Sequence, residues 1–367
     1  MTMKIPIWVD CDPGHDDAFA LILAAQNPAF NLLGVSTVVG NCTLPKTTRN
    51  ALSVLTAIKR TDVSVFPGAE KPFCREHPQW GSDVHGKTGI DGADDLPEPG
   101  VPARTDKLAV IAMAEALLAQ PKGTPWLVLL GSFTNIAIML SLYPEVADHI
   151  KGLTIMGGAV GDRFTDAPPG HRNGEEDRVG NSTWWAEFNA MVSSSLFVLI
   201  EELQLILPQC DPEASRAIFS NPHLNIKTTL IPLDVTHLVM IEEEVLELML
   251  HGPSMKPGSV KPSKSRKIFT DLLKFFRGEY RKIHNLDGPL HDPIAVAVIL
   301  DEEGVEKVGF NYGDNERFSI DLVLEGEQVG RTMVTKLPAG AQGVKIPRDL
   351  DVKEFWRVLE RALAISD

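Results

Sequence analysis

Short apolar runs alternate along the chain with segments of helical period. Lys4–Val9 (KIPIWV) is apolar at nearly every position and reads as a buried strand. Ala18–Gln26 (AFALILAAQ) predicts the helix that follows, stopped near Pro28. Leu32–Thr37 predicts a second strand, and Lys46–Lys59 a helix with Ala51, Leu52, Leu55 and Ile58 on one face. Trp126–Leu130 is strand-like and leads through Gly131 and Ser132 into a helix over Asn135–Leu142. Leu153–Met156 and Thr228–Leu233 predict later strands, and Pro293–Leu300 a strongly apolar helix. This alternation predicts an α/β fold: an open, mostly parallel, Rossmann-like sheet flanked by helices. Near the C-terminus, Phe318–Leu324 and Gly330–Thr335 alternate apolar and polar residues around EGEQ and predict an antiparallel hairpin at the sheet edge. A helix over Val352–Ile365 closes the chain. Gly161–Ser182 and Gly252–Arg266 are rich in Gly, Pro and charged or hydroxyl residues and read as mobile loops. No repeat or long linker divides the chain, so residues 1–367 read as one domain.

Composition narrows the partners. The 367 residues are 44% hydrophobic, enough for a packed core, which excludes general disorder. Asp and Glu number 49 against 35 Lys plus Arg, a formal charge of −14. Such a surface repels phosphate backbones and anionic lipid, so neither nucleic acid nor a membrane is an expected partner. The four cysteines are scattered without a CxxC pair, which suggests no zinc ribbon, redox pair or disulfide scaffold and makes a reducing compartment the expectation. No secretory pattern precedes the first strand, so a cytoplasmic location is expected. The apolar stretch MVSSSLFVLIEELQLILP is interrupted by Glu201, Glu202 and Gln204 and does not read as a membrane span.

The candidate chemistry lies just after the first strand. Asp10, Asp12, Asp16 and Asp17 fall within eight residues, with a Pro13-Gly14 turn between them. In open α/β sheets ligands bind beyond the carboxyl ends of the strands, where this loop would lie. Four crowded carboxylates repel one another unless something neutralises them, and a hard divalent cation with oxygen ligands does so. The plainer reading is an acidic cap on the following helix, which accounts for one Asp more readily than for four. Farther on, His291-Asp292-Pro293 opens the apolar helix. Asp292 alone reads as an N-cap, but it is also a carboxylate at the same sheet edge, with a histidine beside it.

Six segments in order carry a family resemblance: DCDPGHDDA at Asp10–Ala18, HGKTGIDG at His85–Gly92, LLGSFTNIA at Leu129–Ala137, IMGGAV at Ile155–Val160, EFN at Glu187–Asn189 and HDP at His291–Pro293. Together they resemble the inosine-uridine-preferring nucleoside N-ribohydrolases. The resemblance implies hydrolysis of the N-glycosidic bond of ribonucleosides such as uridine or inosine, to ribose and free base, in nucleoside salvage. It implies one Ca²⁺ held by Asp12, Asp17, Asp292 and the main-chain carbonyl of Leu130. Asp16, Asn41, Glu187, Asn189 and the Met156 main chain would grip the ribose hydroxyls, with Asp292 also near the sugar. Asp12 would be the general base for the attacking water. His291 would protonate the leaving base, its charge favoured by nearby carboxylates. His85 would lie over the pocket, near the base or the 5′-hydroxyl, or be an ordinary loop histidine. The resemblance further implies a homodimer or homotetramer.

One stretch departs from the family pattern. EFN normally leads quickly into DPEA, but here Asp211-Pro212-Glu213-Ala214 follows only after an apparent insertion at about 191–208. The stretch reads as a true insertion, as an intron translated in a mistaken gene model, or as a disruption that leaves a nucleoside-binding protein without turnover. A strand followed by Asp-x-Asp also occurs in phosphatases with an aspartyl nucleophile and Mg²⁺, a competing enzyme class that phosphate release would reveal.

Overall fold

The computed structural model describes residues 4–75, 84–161, 163–167, 211–253, 261–325 and 330–367. From the N-terminus come β1 (Ile5–Cys11), α1 (His15–Gln26), β2 (Phe30–Thr37), α2 (Leu44–Ala57), β3 (Val65–Pro67) and α3 (Ala109–Leu118). Then follow β4 (Trp126–Leu129), α4 (Thr134–Leu142), α5 (Val146–His149), β5 (Gly152–Met156), α6 (Pro212–Phe219), α7 (Pro222–Asn225) and β6 (Thr228–Ile231). The last third holds α8 (Leu233–Thr236), α9 (Glu243–His251), α10 (Lys264–His284), α11 (Pro293–Glu302), β7 (Phe318–Leu322), β8 (Thr332–Lys336) and α12 (Val352–Ala364).

Strands β1 to β6 form one parallel sheet in the order β3-β2-β1-β4-β5-β6. The order reverses between β1 and β4, and this switch point opens a crevice beyond the strand ends. Strands β1, β4 and β5 are apolar at nearly every position because both sheet faces are covered. Alternation along β1 divides the core. Ile7, Val9 and Cys11 pack with α1, α2, α10, α11 and α12 on one face. Trp8 packs with α3, α4 and α6 on the other. Helices α1 and α11 lie against each other, so their N-termini reach the crevice together.

The expected parallel sheet and antiparallel hairpin are both present. The hairpin is a separate two-stranded sheet, β7 with β8. It is tied to the β6 edge through Lys345: the Leu230 N–H donates to the Lys345 carbonyl at 2.9 Å, and the Lys345 N–H to Thr228 at 2.9 Å. Two boundaries differ from the sequence expectation in ways that bear on function. Helix α1 starts at His15, which puts Asp16 and Asp17 in its first turn. The stretch expected to be loose through Arg266 ends earlier: Ser263 caps α10, its hydroxyl accepting from the Arg266 N–H at 3.1 Å. Ile268, Phe269, Leu272, Leu273, Phe276 and Tyr280 are buried along one stripe of this helix. Among the described residues no helix is long and apolar enough to cross a membrane.

Candidate active site

The Pro13-Gly14 turn carries the chain from β1 into α1. Gly14 is the N-cap, and a glycine there has no side chain to accept from the free helix N–H groups. Asp17 compensates by reaching back, its Oδ2 accepting from the Gly14 N–H at 2.9 Å and its Oδ1 from the Asp12 N–H at 3.2 Å. The acidic-cap reading therefore holds for Asp17. It does not extend to the others. Asp292 is the N-cap of α11, yet its carboxylate makes no capping bond. Among the described residues, one oxygen each of Asp12, Asp16 and Asp292 is buried without a partner. Carboxylate oxygens of Asp16, Asp17 and Asp292 all lie within 4.8 Å of one another.

Burial first, then mutual repulsion, pushes Asp12 and Asp292 well above the ordinary carboxylate range, and Asp16 up to about 8. Asp17 is raised too, by burial, although the N–H groups it accepts from oppose the shift. Anionic groups are at home at two converging helix N-termini, but helix dipoles alone do not neutralise four buried carboxylates. Buried oxygens without partners, all carboxylate, are the donor set that a hard cation takes. The residues fit such an ion.

Two glycines make room for Asp12. A Cβ on Gly40 would lie 1.8 Å from Asp12 Oδ2, and one on Gly131 would lie 2.9 Å from Oδ1. The Asn41 N–H donates to Asp12 Oδ2 at 2.7 Å. The Asn41 amide donates to the Asp12 carbonyl at 3.2 Å and to Asp17 Oδ2 at 3.3 Å. Leu130 is buried just past β4, its N–H donating to the Asp10 carbonyl at 2.9 Å. Met156 is buried at the end of β5.

The other side of the crevice is built from rings. His291 Nδ1 is 2.8 Å from the Thr236 hydroxyl and Nε2 is 2.8 Å from the Tyr280 hydroxyl. His85 stacks on Phe276 with centroids 5.4 Å apart, and Phe276 meets His291 edge-on.

The sequence matches the family model for "Inosine-uridine preferring nucleoside hydrolase" over residues 7–194 and 209–357. The chain belongs to the inosine-uridine preferring nucleoside hydrolase family. It is 34% identical to a uridine nucleosidase of Saccharomyces cerevisiae over 372 residues, covering 99% of this chain and 97% of the relative. It is 37% identical to a pyrimidine-specific ribonucleoside hydrolase of Shewanella over 300 residues, covering 81% and 78%. Among solved structures, a purine-preferring ribonucleoside hydrolase from Gardnerella vaginalis superposes with a TM-score of 0.73 at 23% identity, covering 98% and 99% of the two chains. A plant nucleoside hydrolase superposes with a TM-score of 0.72 at 21% identity, covering 98% and 99%. These two likenesses show the fold. The family model and the curated relatives make the chain a nucleoside N-ribohydrolase acting on ribonucleosides.

The hydrolase brings Asp12, Asp16, Asp17, Asn41, His85, Met156, Leu130, His291 and Asp292 to the ends of its strands and the two helix starts. Three sequence expectations need correction or refinement. Asp10 does not join the cluster: it sits beside Trp8 on the second sheet face, taking hydrogen bonds from Ser36 and, at 2.8 Å, from the Asn135 amide. Burial lifts it to about 7. Asp16, expected to grip the ribose, also shares a carboxylate triad with Asp17 and Asp292, their oxygens within 4.8 Å of one another. The charge expected on His291 is opposed: burial first, then His237, His85 and His284, hold it well below its ordinary range. Glu187, Asn189 and the stretch 191–208 lie outside the described residues; the family match is itself interrupted between 194 and 209. Sequence reasoning missed Tyr280, Phe276, Thr236 and His15. The signal for the first two was their i, i+4 spacing on α10.

Proposed function

We propose that the hydrolase cleaves the N-glycosidic bond of uridine, and of inosine, with one Ca²⁺ on its crevice floor, for nucleoside salvage. The observation that carries this reading is the set of partnerless buried oxygens on Asp12, Asp16 and Asp292 beside Asp17. The family description and the name of the yeast relative support the substrates. Asp12, Asp17, Asp292 and the Leu130 carbonyl would hold the ion. When bound, the ion would lower the pKa of a coordinated water and fix the position of the sugar hydroxyls.

The chain's own groups do the rest. Cleavage runs through an oxocarbenium-like transition state, and the carboxylates around the sugar stabilise its positive charge. Asp12, raised by burial and seated by Asn41, takes the proton of the attacking water. Asp16, Asn41, Glu187, Asn189 and the Met156 main chain grip the ribose. His291 is the proton donor for the leaving base through the Tyr280 hydroxyl at its Nε2: the hydroxyl gives its own proton to the base as it receives one from His291. Because burial opposes the charged ring, His291 holds that proton only with the carboxylates and substrate around it. His85 touches the base or the 5′-hydroxyl. The chain is a single domain with an apparent insertion at about 191–208, and the enzyme works in the cytoplasm as a homodimer or homotetramer.

The test is a nucleoside panel assayed for reducing sugar, with chelator and with Ca²⁺ restored. Uridine turnover lost to chelator and regained with Ca²⁺ is expected. Turnover untouched by exhaustive chelation overturns the ion assignment. Binding of uridine by calorimetry without any turnover, with Ca²⁺ present, overturns the activity in favour of a binding protein.

A further inference from the structure

His15 stands inside the acidic motif, yet the reaction above gives it no task. It is fully buried in the first turn of α1. Its ring touches both ends of one loop, His85 to Asp91. His15 Nδ1 lies 3.1 Å from His85 Nδ1, and the His15 main-chain N–H donates to the same His85 nitrogen at 3.2 Å. His15 Nε2 lies 2.7 Å from the Asp91 carbonyl. Phe275 and Phe276 stack on the His15 ring at centroid distances of 5.3 and 5.4 Å.

The loop closes on itself as well. The Asp91 N–H donates to the His85 carbonyl at 3.1 Å, and the Asp91 carboxylate accepts from the N–H groups of Lys87 at 2.7 Å and Thr88 at 3.1 Å. Without the His15 ring the loop keeps this internal order and the bond from the main-chain N–H at position 15. It loses the Nε2 contact with the Asp91 carbonyl and the imidazole stack that hold it to α1, the helix that carries Asp16 and Asp17.

The fixed characters of two partners settle where the protons sit. A carbonyl only accepts, so His15 Nε2 bears hydrogen. A main-chain N–H only donates, and a buried one left unpaired costs about 1–3 kcal/mol, so His85 Nδ1 receives it as a bare nitrogen. The hydrogen of a neutral His85 is then on Nε2, and the His15 Nδ1 that faces it is bare as well. The His85 end of the loop is therefore held by the His15 main-chain N–H and by the stack of the two imidazoles, centroids 5.4 Å apart, rather than by a hydrogen bond between the rings. Among the described residues both polar contacts of His85 fall on Nδ1, which leaves Nε2–H for a ligand. An acceptor on the nucleoside, a base oxygen or ring nitrogen or the 5′-oxygen, suits it.

We propose that His15 is a positioning residue for His85: it clamps both ends of the 85–91 loop to α1 and presents His85 to the nucleoside as a donor through Nε2. This rests on the reading of His85 as a nucleoside contact. His15 itself touches no substrate. The clamp joins the sugar-gripping helix to the residue over the base, so their relative position is set before a nucleoside enters.

A double-mutant cycle on the Ca²⁺-loaded enzyme tests the proposal, with uridine kcat and KM and thermal melting measured for His15→Phe, His85→Phe and the pair. Phenylalanine keeps the stack on Phe275 and Phe276 and removes both ring nitrogens. His15→Phe is expected to lower kcat/KM about 10–100-fold, and that loss is expected to vanish when His85 is already Phe. His15→Gln, which returns an amide donor toward the Asp91 carbonyl, is expected to recover part of the rate. The same loss in both backgrounds overturns the proposal. A His85→Phe enzyme with wild-type constants overturns the reading of His85 beneath it, and the two failures are thereby distinct. Should His15→Phe not fold, ¹⁵N spectra of histidine-labelled wild type decide: hydrogen on His85 Nε2 is expected, and hydrogen on Nδ1 overturns the donor assignment.

Discussion

Adding one methyl group at Gly40 tests whether Asp12 must sit where it does. Gly40 has no positive φ, so alanine brings no backbone strain there. Its Cβ would lie 1.8 Å from Asp12 Oδ2 and 2.6 Å from Cγ. Ordinary contact begins near 3.4 Å, so the carboxylate must retreat by about 1.5 Å. The retreat breaks the hydrogen bond that Oδ2 takes from the Asn41 N–H at 2.7 Å. A hydrogen bond to a charged acceptor is worth about 1.5–3 kcal/mol, which for a chain of this length lowers Tm by about 2–4 °C. The effect on rate is larger. Displacing a reacting group by about 1 Å costs about 100-fold, so uridine turnover by Gly40→Ala is expected to fall at least that far. Reducing-sugar release measures the rate and calorimetric melting the fold. Gly278→Ala is the control: nothing lies within 4 Å of its Cβ, and in α10 it is expected to gain about 0.5–1 kcal/mol with unchanged activity. A Gly40→Ala enzyme that melts cooperatively and works within twofold of wild type refutes the role given to the Asp12 position.

Tyr280→Phe removes the hydroxyl 2.8 Å from His291 Nε2 and is expected to cut kcat about 10–100-fold with KM little changed. Wild-type kcat with a melt lowered by about 1 °C would reduce Tyr280 to a packing role. Arg266 donates to Glu360 at 2.6 Å, to Asp367 at 2.7 Å and to the Met249 carbonyl at 2.8 Å, pinning the chain end beneath α10. Arg266→Ala strands a buried Glu360 and is expected to cost about 3–5 kcal/mol, or about 4–7 °C in Tm; a shift under about 1 °C counts against it. Burial, then the charge of Asp12, pushes the Cys42 thiol up to about 12. Its thiolate is lost as pH falls below that value, leaving about one in 10⁴ ionised at pH 8. Iodoacetamide at pH 8 should label the exposed Cys74 and spare Cys42, which peptide mass spectrometry reads; equal labelling of the folded protein would refute the shift.

The parallel sheet was legible because strands buried on both faces must be apolar at nearly every position, and β1, β4 and β5 are. The acidic motif was legible because so many carboxylates in one turn call for a partner. Helix α10 was not. Its approach is rich in Pro, Ser and Lys, and its exposed face carries as much charge as a loop would. Only the pattern of its buried residues, which matters once there is a core to face, marks it as a helix.

The sequence alone determined which chemical groups this hydrolase has and which end of the sheet they occupy, because local patterns fix strands, helix starts and turns. Tertiary structure decided which of those groups meet. Asp292 lies 275 residues beyond Asp17, and only the packing of α11 on α1 brings their oxygens within 4.8 Å. Strand register likewise turned Asp10 away from its neighbours to Ser36 and Asn135 on the opposite face. His15, His85 and Tyr280 carry no sequence signal of their joint arrangement, since hydrogen bonds between rings on separate elements depend on side-chain directions that appear only when the core has closed.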